Sequence, residues 1–100
     1  MTKENLKIIF DHLYHNWDNE TSHLSSVHGI NSNANMVCIM ALGEQVVPLI
    51  LRSLKNKPDH WFYALRELTG VDVIKQEHRG KLHLMAQDWL NWADAQGIEY

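Results

Sequence analysis

Near the start of the chain, Leu6, Ile9, Phe10, Leu13 and Trp17 recur at three- and four-residue steps, and Leu24 extends the series. An α-helix turns once in about 3.6 residues, so this spacing places the side chains on one stripe. Lys7, Asp11, His15 and Asp18 fall on the other face, where solvent is expected. Thr2 suits the N-cap position, because its hydroxyl can accept one of the helix's unpaired amide hydrogens. The pattern predicts a first helix over residues 3–24.

Residues 25–33 are rich in Ser, Asn and Gly, whose short polar or absent side chains favour turns, and are expected to form a loop. Asn33 or Ser32 can cap a short second helix reaching residue 42, with Gly43 as its stop. A third helix is predicted over 44–54. Pro48 fits only its first turn, which moves the start toward Val47. Leu49, Ile50, Leu51 and Leu54 are apolar on more than one side, marking a central helix. Asp59 is expected to cap a fourth helix over 60–69, closed by Gly70. Residues 71–80 have no clear period and are expected to be an extended connection. A last helix over 81–96 carries Leu82, Met85, Ala86, Trp89 and Ala93 on one stripe, widened by Leu90 and Trp92, with Gly97 as its stop. No strand-like alternation persists, so the fold expected is all-α: one domain over residues 1–100, with about five helices stacked antiparallel.

Length and composition agree with that reading. One hundred residues suffice for one modest core without disulfides or metals. Two prolines and five glycines are too few for a disordered or low-complexity chain. The one cysteine, Cys38, has no internal partner to bridge to and lies in the apolar run Met36-Val37-Cys38-Ile39-Met40. It is expected in the core, in a reducing compartment. The opening Met-Thr-Lys-Glu-Asn lacks a signal-peptide layout, and no apolar stretch approaches the ~20 residues that cross a bilayer, so a cytoplasmic protein with no membrane contact is expected. Net charge is −3, and the first fifty residues carry two basic and five acidic groups against seven of each in the rest. Such a balance argues against a dedicated nucleic-acid binder, which needs a basic excess to displace counterions.

Two resemblances add to this. The stretch Ala41-Leu42-Gly43-Glu44-Gln45-Val46-Val47-Pro48-Leu49-Ile50-Leu51-Arg52-Ser53-Leu54 looks like the turn and second helix of a HEAT-type repeat, which implies a HEAT-like helical stack in a chain too short for three full repeats. A second set of matches comprises Trp17 with Glu20-Thr21, Leu24-Ser25-Ser26-Val27, Pro58-Asp59-His60-Trp61-Phe62-Tyr63-Ala64-Leu65, Leu68-Thr69-Gly70, Arg79-Gly80, and Met85-Ala86 with Trp89-Leu90 and Trp92. In that order it resembles a group of small uncharacterised helical proteins of bacteria and mobile elements. The chain departs from the group between Val73 and Glu77, where the group has prolines. No catalytic activity is established for that group, so the resemblance implies a helical fold and very little about function. Its setting implies a small regulator: an antitoxin, an immunity protein, or a phage inhibitor of a bacterial defence complex such as an anti-CRISPR.

Candidate chemistry is sparse. His12 and His15, three residues apart, could face one way, yet a structural zinc site wants four ligands, commonly several of them cysteines. Surface or capping roles account for the seven histidines more simply, and no metal or cofactor is expected. A thiol enzyme would need a histidine beside Cys38, for which His28 and His60 are the conceivable partners. Trp61, Phe62 and Tyr63 are consecutive and so point about 100° apart, which prevents all three from sharing one core. Trp61 continues the stripe of Ala64, Leu65 and Leu68 and is expected inside; Phe62 and Tyr63 then turn outward. Lys75, Arg79 and Lys81 form one small basic group and Arg52, Lys55 and Lys57 another, the basis of an alternative nucleic-acid-associated regulator. The reading favoured is a non-enzymatic binder of another protein, with Asp11, His15, Asp18, Phe62, Tyr63 and Trp92 as contact candidates and a homodimer as a further option.

Overall fold

The computed structural model describes the backbone of residues 1–22 and 27–100 and the side chains of 1–22 and 29–100. Among these residues the chain is all-α, with six α-helices and two short 3-10 turns. Leu24, assigned by spacing to the first helix, lies outside the described residues, as do Ser25 and Ser26 of the expected loop. The helices fall into two units, Met1–Val46 and Val47–Tyr100.

In the first unit, α1 (Lys3–Thr21) opens on Thr2, whose extended backbone (φ −75°, ψ 160°) lets its hydroxyl accept the Asn5 amide hydrogen at 3.1 Å. Leu6, Phe10 and Trp17 are buried, whereas Leu13 is half-buried and Ile9 is exposed, so the stripe is narrower than its spacing suggests. α1 packs along α3 (Ala34–Ala41), which also receives the short α2 (Val27–Asn31). That α2 exists corrects the expected loop. Its turn-favouring composition is overridden by tertiary contacts, since Ile30 is buried and its carbonyl accepts the indole N–H of buried Trp17 at 3.0 Å. Asn33 caps α3 by accepting the Asn35 amide hydrogen at 2.9 Å. The Glu20 carboxylate then takes the side-chain amides of Asn33 (3.3 Å) and Asn35 (2.9 Å), tying the end of α1 to the start of α3. Met36 and Ile39 point inward from α3.

The 3-10 turn Glu44–Val46 leads into α4 (Val47–Asn56), with Pro48 in the first turn where no helical partner for its missing N–H is needed. α4 packs against both α5 (Phe62–Thr69) and α6 (Leu82–Ala95), as expected of the central helix of its unit. Ile50, Leu51, Leu54, Trp61, Ala64, Leu65, Ala86, Trp89 and Ala93 are buried here. α5 begins later than expected. Asp59 is not its N-cap: the Asp59 carboxylate accepts the neighbouring His60 amide hydrogen at 2.8 Å, its carbonyl accepts that of Trp61 at 2.9 Å, and Trp61 occupies the cap position, where its side chain does no capping. Gly70 ends α5 in the left-handed region (φ 75°), a conformation that disfavours residues with a Cβ. The 71–80 connection is extended at first but contains a 3-10 turn, Gln76–His78.

Candidate functional site

α3 carries no charged residue. Ala34, Val37, Cys38 and Ala41 stand at i, i+3, i+4 and i+7, a single helix face, and all four are exposed, Val37 by 50%. The buried cysteine expected from the apolar run is therefore corrected. An uncharged run offers nothing to distinguish inside from outside, and Met36 and Ile39 take the core positions. Isolated exposed apolar residues are ordinary, but a complete helix face of them is the usual mark of a contact surface. In the same unit Ile8 on α1 is 66% exposed.

The sequence-derived contact candidates divide between the two units. Asp11, His15 and Asp18 share one side of α1 by helical spacing. Asp11 is paired with Lys7, His15 meets Asn19 at 3.1 Å, and Asp18 is half-buried rather than solvated. His12 is bonded to Asn16 at 3.3 Å, so each of these two histidines is engaged one turn further along its own helix. Among the described residues no three metal-ligating side chains converge. Phe62 and Tyr63 are half-buried in the first turn of α5, and the Arg66 guanidinium lies 5.8 Å from the Tyr63 ring centre. Trp92, also half-buried, meets Trp89 edge-on at 5.3 Å. The Trp89 indole N–H is buried without an acceptor among the described residues.

Sequence reasoning missed Asp88. This buried carboxylate of α6 reaches back to the 71–80 connection, and its Oδ2 accepts the Lys75 backbone N–H (3.0 Å) and the His78 Nδ1–H (2.8 Å). Burial alone would raise its pKa. The His78 hydrogen bond, the Lys75 amide and the positive charges of both outweigh that, and the carboxyl is held below its ordinary range. The one available signal was an acid set between Ala86 and Trp89 on the apolar stripe. Arg79, one of the candidate phosphate-binding cations, is spent on Asp72 at 2.7 Å, which lowers the Asp72 carboxyl through that hydrogen bond.

Beyond α6, the chain folds back on α4. Gly97 turns it (φ 72°), Ile98 N–H donates to the Ala93 carbonyl (3.0 Å), and Tyr100 donates its hydroxyl hydrogen to Asp94 (2.9 Å). That bond to a carboxylate pushes the Tyr100 phenol up. Lys55 lies 5.9 Å from the Tyr100 ring centre. The fold-back leaves an open groove of about 330 Å³ lined by Pro48, Leu49, Arg52, Glu99 and Tyr100.

No family model matches the chain, and comparison with curated proteins and with solved structures finds no significant match.

Proposed function

We propose that this chain is a non-enzymatic protein-binding module of the cytoplasm, a small regulator or inhibitor of another protein, and that the outward face of α3 meets the partner. The observation that supports this is the four-residue exposed face of Ala34, Val37, Cys38 and Ala41 on a helix without charge. Such a face gains free energy when a partner covers it and loses no hydrated charge on doing so. The resemblance to proteins of bacteria and mobile elements favours an antitoxin, an immunity protein or a phage-borne inhibitor of a defence complex. Cys38 belongs to the contact face in this reading, because it stands exposed on that face beside Val37 and Ala41; the side chain of His28, one of its two conceivable partners, lies outside the described residues.

The test is co-purification from the native host with the wild-type chain and with Val37→Lys. A lysine in the middle of the face should abolish capture of the partner while leaving the thermal melt unchanged. A partner held equally well by Val37→Lys and Ala34→Lys would remove α3 from the interface.

A further inference from the structure

The groove beside α4 differs from the α3 face in having a charged residue from each of the two segments that line it, α4 and the tail. Arg52 projects from the helix and Glu99 from the folded-back tail, and both are exposed. Neither is engaged in an ion pair or side-chain hydrogen bond among the described residues, so they do not neutralise each other across the groove. The charges next to them are already used: Asp94 holds the Tyr100 hydroxyl, and Lys55 lies against the Tyr100 ring. The rest of the lining is Pro48 and Leu49 from α4 and Tyr100 from the tail.

We infer that this groove receives a peptide segment of a partner protein that carries one acidic and one basic side chain about an apolar residue. The acid meets Arg52, whose planar fork matches a carboxylate with two parallel hydrogen bonds. The base meets Glu99, and the apolar residue covers Pro48, Leu49 and Tyr100. Glu99 discriminates against a nucleic-acid backbone, which would place phosphates against a carboxylate. The groove is open to solvent rather than enclosed, and an open site suits an extended chain better than a small molecule. The inference is independent of the α3 proposal.

The experiment is an amide-NMR titration of the full chain with blocked tetrapeptides that hold Glu and Lys on either side of two leucines, in both chain directions. Controls replace the charged pair by Gln and Gln, or by Glu and Glu, and a short single-stranded oligonucleotide is titrated separately. One peptide direction should move the resonances of residues 48–52 and 97–100, and the Gln control should bind about tenfold or more weakly. Arg52→Glu combined with Glu99→Arg should reverse which direction is preferred, a result that mere surface stickiness cannot produce. Val37→Lys should leave the titration unchanged, which separates this site from the α3 face. Equal shifts from charged and neutral peptides, no shifts at millimolar peptide, unchanged preference in the charge-swapped chain, or tighter binding of the oligonucleotide would each overturn the assignment.

Discussion

α3 and α4 follow one another along the chain, both rich in aliphatic residues, and they use them differently. In α4, Ile50, Leu51 and Leu54 turn inward while Arg52, Lys55 and Asn56 face solvent, so one side is committed to the core and the other to water. In α3, Met36 and Ile39 turn inward and the opposite side is Ala34, Val37, Cys38 and Ala41, with no charge anywhere. Apolar content is therefore a poor guide to which face is buried. The charged residues orient a helix, and a helix without them has a second face that can accept a neighbour.

The largest effect that should separate the two helices is Leu51→Ala in α4. Leu51 is fully buried, and the truncation is expected to cost about 2–5 kcal/mol by denaturant unfolding. Next is Asp88→Ala in the same unit, expected to cost about 2 kcal/mol because it strands the Lys75 amide and His78 donors. A pH series sharpens that result. The folded Asp88 carboxyl lies below its unfolded value of about 3.9, so its stabilisation is present above that pH and lost as pH falls through the lower folded value. The stability gap between wild type and Asp88→Asn should therefore be wide at neutral pH and close below about pH 4. A gap that widens in acid would contradict the assignment. Asn33→Ala, which removes the cap of α3, should cost about 1 kcal/mol. The smallest effects belong to the outward face of α3: Val37→Ser and Cys38→Ser are each expected to shift stability by no more than about 0.5 kcal/mol. A Cys38→Ser loss as large as that of Leu51→Ala would erase the contrast between the helices.

Much of this architecture was legible in the residues. Thr2, Asn33, Gly43, Gly70 and Gly97 bracket helices where their backbone chemistry says they should, and Trp61 is buried as its stripe requires. Local rules failed where distant partners decide. α2 forms from turn-prone residues because Trp17, thirteen positions earlier, holds the Ile30 carbonyl. Asp59 gives its carboxylate to the adjacent amide rather than to the helix that follows. The Asp88 node joins residues ten and thirteen positions apart, beyond any helical spacing. Of the candidate surfaces, the aromatics of α5 and α6 were visible in sequence but are half-buried, and the α3 face was hidden inside a run that read as core. The groove depends on a fold-back at Gly97 that brings residue 100 beside residue 55, which spacing alone does not reveal.

The edge-on pair of Trp89 and Trp92 also makes α6 observable by light. Indoles 5.3 Å apart exchange excitation before they emit, and each exchange that turns the emitting dipole lowers the polarisation of the light even when the protein itself is not tumbling. The two rings are held together by one turn of helix, and unwinding that turn would separate them. Trp17 and Trp61 emit in both chains, so the difference in polarisation between wild type and Trp92→Phe, in which transfer between the two is switched off, reports this turn of α6 without any added dye.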